Sequence, residues 1–302
     1  MNKKYLIIGS GAIGTFYSSR LSMAGQHIIS WSRNDRDFIA NNGYKVKSFL
    51  GDYDFFPNQL IANPEDLTHE VDYVIVSTKA LPSINIVSIL KKVVSKNTAI
   101  IIIQNGIHIE NEIAKHFPDN QIISAIAFIG VSRDQINVIR HQEYGKLIVG
   151  NYNNIDLNSI NYFVESIKKT EIEVVKTENI LMERWKKLVW NGAFNPLSVV
   201  LGKKTTRQIL DNKLARKLAE NIMQEIVMLA KNDNCELPEN IIDVNITATE
   251  QMSPYKTSML LDYEANRPME IDAIIGNAIK FGQSKSISTP YLSTIYAILS
   301  NY

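Results

Sequence analysis

The hexapeptide Gly9-Ser10-Gly11-Ala12-Ile13-Gly14 stands between a β-rich run, Tyr5–Gly9, and a helical pattern, Ile13–Ala24. A second β-rich run, His27–Trp31, follows within about 30 residues of the first. Three glycines in six residues mean little alone, but this setting constrains the chain strongly. Gly9 permits a tight turn, Gly11 lets the backbone come close to a ligand, and Gly14 allows helix and strand to pack closely. The helix start then offers free N–H groups and a partial positive charge, which suit a pyrophosphate. A strand–turn–helix–strand of this kind implies a dinucleotide-binding α/β unit at the start of the chain.

The rest of the first half carries the same alternation. Val71–Ser77 and Thr98–Gln104 are continuous apolar, β-rich runs. Such runs suit strands buried on both faces, as in a parallel sheet covered by helices. Shorter strands are expected around Gln121–Ile129, Val138–Arg140, Lys146–Val149 and Glu171–Val175. From Ile180 onward the apolar spacing turns helical. In Lys213–Asp233 it places Leu214, Leu218, Ile222, Ile226 and Leu229 on one face. With 302 residues, two domains are expected. The polar stretch Lys176–Asn179 sets their limits at 1–177 and 178–302. The expected fold class is α/β, a doubly wound N-terminal domain of Rossmann type followed by an all-α C-terminal domain.

The end of the second strand bears on the choice of nicotinamide cofactor. An acid there would take the ribose hydroxyls of NAD, whereas a 2′-phosphate calls for a cation. The strand ends Trp31-Ser32-Arg33-Asn34, and a planar guanidinium binds phosphate bidentately, so Arg33 points to NADPH/NADP+. Asp35 and Arg36 lie close by, and the acid keeps the other choice open.

Five motifs, in order, resemble the ketopantoate reductase (2-dehydropantoate 2-reductase) family across nearly the whole chain. They are the glycine turn, Asp72–Ala80 with its Thr78-Lys79 pair, Gln104-Asn105-Gly106, Trp185–Leu197, and Thr257–Gly276 with its Ser258-Met259 and Glu270-Ile271-Asp272. The resemblance implies reduction of the keto group of ketopantoate to pantoate with NADPH, a step toward pantothenate. It implies Lys187 as proton donor and Asn191, Asn195 and Ser258 as substrate ligands. Gly9 to Gly14 (with Ser10, Ala12 and Ile13), Arg33, Lys79, Asn105 and Ser132 would meet the cofactor, and Glu270 would lie at its nicotinamide end in a supporting catalytic role. Three features depart from the family pattern: Tyr255 and Thr205, where an asparagine is common, and the turn Gly106-Ile107-His108, which lacks the second glycine common there. They bear on the identity of the substrate, so a related reductase of another 2-oxo or 3-oxo acid is the alternative. A non-catalytic dinucleotide sensor is a third reading, which the retained Lys187 disfavours.

The residues support part of this chemistry independently. Lys187, Asn191 and Asn195 are four apart, so on a helix each turns only about 40° from the last. Apolar neighbours (Leu188, Val189, Trp190, Phe194, Leu197) imply burial, which is costly for such a stripe without polar partners. Pro196 is expected to kink or end that helix at Asn195. For Glu270 the residues alone equally allow a carboxylate stabilising a helix start after Pro268.

Other chemistry finds no support in the sequence. Lys and Arg total 32 against 31 Asp and Glu, a formal charge of +1, so there is no basic field for nucleic acid or acidic membranes. The five histidines lack metal-ligand spacing, and no metal is expected. Cys235, without a second cysteine, suits a reducing compartment. The apolar run at the N-terminus is too short for a signal-peptide core, and no 18-residue apolar span occurs. The expectations are a cytoplasmic protein, a small 2-oxo acid as substrate, and a homodimer as a possible assembly.

Overall fold

The computed structural model describes residues 2–302. The chain divides into two compact units. One holds the chain up to Lys79, Asn85–Gln104 and Glu110–Ile180; the other holds Ala80–Ile84, Asn105–Ile109 and Leu181–Tyr302.

The first unit is built on one ten-stranded sheet. Its strands are β1 (Lys4–Ile8), β2 (His27–Trp31), β3 (Tyr44–Ser48), β4 (Tyr53–Phe55), β5 (Gln59–Ile61), β6 (Tyr73–Val76), β7 (Ala99–Ile103), β8 (Ile122–Gln135), β9 (Val138–Asn151) and β10 (Val174–Lys176). Helices α1 (Ala12–Met23), α2 (Arg36–Asn42), α3 (Ile86–Val93), α4 (Asn111–His116) and α5 (Leu157–Lys168) connect them. The order is β4-β3-β9-β8-β7-β6-β1-β2-β5, with β10 beside β9. From β5 to β8 every neighbouring pair is parallel. Ala99-Ile-Ile-Ile-Ile103 is buried throughout, as a central parallel strand must be. The order reverses between β1 and β6, and the carboxyl ends at such a switch point are where this Rossmann-type fold places ligands. Residues Gly14 to Leu21 of α1 are all buried.

The sheet is mixed rather than wholly parallel. β8 and β9 form an antiparallel hairpin of two 14-residue strands, and β4 runs antiparallel to β3. The separate short strands expected from 121 to 149 are thus parts of one long ribbon. Its middle is largely polar (Ser132, Arg133, Asp134, His141, Glu143), so apart from the short run at Val138–Arg140 apolar content marked only its ends. β3, β4 and β5 are additions that no continuous apolar run announced.

The second unit is helical: most of α6 (Ile180–Val200), then α7 (Thr206–Asp211), α8 (Lys213–Asn232), α9 (Ile241–Gln251), α10 (Ser258–Glu264), a π-helical turn at Asp272–Gly276, α11 (Asn277–Ser284) and α12 (Pro290–Leu299). Its core gathers Trp185, Phe194, Leu197, Ile222, Ile226, Leu229, Leu260 and Ile275. Helix α6 does not end at Asn195 but runs on through Pro196 to Val200. Phe194 and Leu197 on either side are fully buried, and their packing outweighs the one N–H that proline withholds. Leu214, expected on the buried stripe of α8, is 84% exposed, because at that end of the helix Ala215 and Leu218 take the face that packs against the core. Glu225 of α8 accepts the amides of Tyr291 and Leu292, both at 2.9 Å, and so caps α12. Among the described residues no helix is long and apolar enough to cross a membrane.

Candidate active site

In the first unit, the glycine turn follows from steric need. Gly9 has φ +102°, and a Cβ there would stand 2.4 Å from the Thr78 amide nitrogen. A Cβ on Gly14 would meet the Gly9 carbonyl oxygen at 2.2 Å and Ser77 Oγ at 2.4 Å. At Gly11, by contrast, a Cβ would meet nothing within 4 Å. Gly11 is also the N-cap of α1, which has no capping side chain. An open approach beside uncapped helix amides fits a diphosphate group. Ser10 ties the turn to β2, its Oγ lying 2.6 Å from Ser30 Oγ and donating to the Trp31 carbonyl at 3.0 Å.

The other cofactor candidates are distributed. Arg33 is exposed just beyond β2. Lys79 is half-buried three residues beyond β6. Ser132 lies within β8 and donates to Asp134 Oδ1 at 2.6 Å. Arg133, which sequence reasoning did not single out, meets Asp35 beside the glycine turn. It donates through Nη1 to the Ser10 carbonyl at 3.2 Å and through Nη2 to Asp35 Oδ2 at 2.5 Å. No spacing rule joins positions 35 and 133; only the β8–β9 hairpin brings them together.

In the second unit, a half-buried polar cluster surrounds Lys187 of α6. Its Nζ donates to Asn105 Oδ1 at 2.9 Å. Asn105 Nδ2 donates in turn to Glu270 Oε2 at 3.4 Å, and Glu270 Oε1 accepts the Ala80 amide at 2.9 Å. Arg184, one turn before Lys187, donates to the Gly106 carbonyl at 3.2 Å. The segment bearing Asn105 is fixed to the helices. The Ile107 amide donates to the Ala273 carbonyl at 3.1 Å, and Asn277 Nδ2 donates to the Ile107 carbonyl at 2.9 Å. Gly106 (φ +113°) is required there, since a Cβ would stand 2.4 Å from the Ala273 oxygen. The π-helical turn that begins two residues after Glu270 is held by Tyr296, whose hydroxyl donates to Asp272 Oδ1 at 2.7 Å. Turns of this kind concentrate at functional sites.

Electrostatics give Lys187 unusual properties. Burial, with the like charge of Arg184, lowers its pKa from 10.5 to about 8, while Glu270 acts in the opposite sense. An ammonium of that pKa gives up a proton far more readily than an ordinary lysine. Asn191 and Asn195, on the same helix, are 8% and 2% exposed. Ser258 opens α10 and is exposed; its neighbour Thr257 caps that helix and lies 2.7 Å from Ser198 Oγ. Tyr255 packs its ring 6.2 Å from that of Trp190. Thr205 serves the fold, since it caps α7 in a reciprocal pairing with Gln208.

A Rossmann-type sheet with an open glycine turn, followed by helices that hold a half-buried lysine among amides and a carboxylate, defines a two-unit protein of the dinucleotide-fold oxidoreductase class. Similarity to known proteins narrows this class. A family model described as "Ketopantoate reductase PanE/ApbA" matches residues 5–154, and one described as "Ketopantoate reductase PanE/ApbA C terminal" matches 179–302. The chain is 30% identical over 299 residues to a 2-dehydropantoate 2-reductase of Nostoc sp., covering 97% of this chain and 93% of that protein. The crystal structure of 2-dehydropantoate 2-reductase from Methylococcus capsulatus matches with a TM-score of 0.92 and 39% identity, over 98% of this chain and 96% of that one. A D-mandelate dehydrogenase, solved with NADH and anilino(oxo)acetate, shares the fold at a TM-score of 0.89 and 19% identity, over 99% and 97% of the two chains. This chain belongs to the ketopantoate reductase family.

Proposed function

We propose that this protein reduces the 2-oxo group of ketopantoate to give pantoate, using NADPH. The observation that carries the reading is the Lys187–Asn105–Glu270 chain of hydrogen bonds around an ammonium of lowered pKa. The names of the relatives supply the substrate. When bound, a reduced nicotinamide supplies a hydride to the 2-oxo carbon.

The chain's own residues provide the rest. As the new C–H bond forms, the carbonyl electron pair collects on oxygen, and Lys187 Nζ delivers the proton that forms the hydroxyl. The neutral amine then regains a proton from water. Asn105 Oδ1 fixes the direction of the ammonium. Glu270 favours its charged form and holds Asn105 through the amide nitrogen. Asn191 and Asn195, buried along the same helix, are assigned to the substrate's carboxylate and hydroxyl groups, because a buried amide is costly without a polar partner. The glycine turn and α1 are assigned to the diphosphate, and Arg33 and Lys79 to the remaining phosphate and ribose groups. Ser132 and Ser258 complete the proposed cofactor and substrate sets.

Tyr255 favours a second reading. An aromatic ring against Trp190 on α6 suits another 2-oxo or 3-oxo acid, and that enzyme would use the same proton donor. Turnover of a panel of oxo acids with NADPH and with NADH tests both. Ketopantoate is expected to have the highest kcat/KM, with NADPH preferred. Turnover of a different acid with none of ketopantoate would transfer the assignment to that acid, and no turnover of any would leave a sensor.

A further inference from the structure

The end of β2 presents two opposed signals for a dinucleotide. Arg33 offers a cation to a 2′-phosphate, yet Asp35, two residues on, offers a carboxylate that would bind ribose hydroxyls and repel that phosphate. The structure shows what becomes of this carboxylate. Arg133 reaches it from β8, pairing at 2.5 Å, with both side chains about three-quarters buried. The same guanidinium is fixed on other sides. Nη1 donates to the Ser10 carbonyl, and Nε donates to the Ile136 carbonyl at 2.9 Å, where Nη2 donates also. Because Ser10 is tied to Ser30 and Trp31, the pair lies against both the glycine turn and the end of β2. A planar fork engaged on three carbonyl or carboxylate partners is a fixed counter-charge rather than a wandering surface residue.

We propose that the Arg133–Asp35 pair is a specificity device that occupies and neutralises the carboxylate beside the glycine turn, making the site accept a 2′-phosphorylated dinucleotide. The inference rests on the NADPH reading above and adds to it a residue, remote in sequence, that decides between the two nicotinamide cofactors. Arg133 acts through Asp35 and is a positioning residue.

The test is titration calorimetry with two probes that lack nicotinamide, 2′,5′-ADP and ADP, alongside the melting temperature of each variant. The unaltered protein is expected to bind 2′,5′-ADP at least ~10-fold more tightly than ADP. Arg133→Gln, which exposes the Asp35 charge, should weaken 2′,5′-ADP by about 10-fold and leave ADP within about 2-fold. Removing that charge as well, in Arg133→Gln/Asp35→Asn, should return 2′,5′-ADP to within about 3-fold of the unaltered protein, the coupling that a double-mutant cycle isolates. Asp35→Asn alone, which leaves Arg133 in place, should bind 2′,5′-ADP equally or more tightly. Equal losses of both probes in Arg133→Gln, no recovery in the double variant, or a weakened Asp35→Asn would each overturn this inference alone. If the unaltered protein does not favour 2′,5′-ADP, the NADPH reading falls and takes this inference with it.

Discussion

Lys187 is expensive to keep charged, and that cost gives it two independent signatures. Its pKa in the folded protein is about 8, below the ordinary 10.5, so between those values the unfolded chain binds more protons than the folded one. Stability therefore rises with pH across this window, and the penalty is fully present below pH 8. Lys187→Met is expected to melt higher than the unaltered protein at pH 7, by an amount on the order of 1–3 kcal/mol before the lost Asn105 hydrogen bond is subtracted. The difference should shrink toward zero as pH approaches that of an ordinary lysine. Activity should move the other way. The variant loses roughly 100- to 10,000-fold in kcat for reduction, the range of a general acid, while still binding NADPH. In the unaltered protein, the rate of reduction should fall as pH rises through about 8, and the rate of the reverse oxidation should rise. A reduction profile flat from pH 6 to 9.5 would remove Lys187 as proton donor.

Secondary elements differ in how far their sequences declare them. β1, α1, β2, β6 and β7 were legible because each is a local run ending at a glycine or polar turn. β3 carries a two-residue alternation of buried and exposed positions, Tyr44-Lys-Val-Lys-Ser48, which periodicity could have found. The β8–β9 hairpin was only half legible, since its polar middle is held by cross-strand pairing and not by apolar content. Helix α6 carries Lys187, Asn191 and Asn195 on a face that spacing alone disclosed. Its passage through Pro196 depends on packing, which no local rule encodes. Thr205 illustrates the same limit from the opposite side. As a departure from the family pattern it suggested a change of substrate, whereas the structure uses it to start α7. Thr205→Ala should cost about 1 kcal/mol of stability, read by urea denaturation, with KM for the oxo acid unchanged. A raised KM with stability intact would return Thr205 to the binding site.

At the scale of the whole molecule, a formal charge of +1 offers no general attraction for an anionic cofactor. Affinity must then come from local features, above all the glycine turn, and binding must appear as stabilisation of the fold by mass action. At a nucleotide concentration about 100 times Kd that stabilisation is about 2.7 kcal/mol, enough to raise the melting temperature by several degrees. Gly11 allows the source of the effect to be isolated. Its φ is −82° and its ψ −160°, the extended geometry of a helix N-cap, and space is open where a side chain would stand. Gly11→Asp should therefore fold without strain, and its carboxylate should cap α1 and lie favourably at the helix N-terminus, so the melting temperature without nucleotide should hold or rise. The same carboxylate would occupy the approach assigned to the diphosphate and repel it. The expected result is a protein at least as stable as the original in which NADPH no longer raises the melting temperature. A full NADPH-induced shift in Gly11→Asp would mean that the diphosphate is held elsewhere, whereas a drop in stability without nucleotide would mean that the space at Gly11 serves the fold itself.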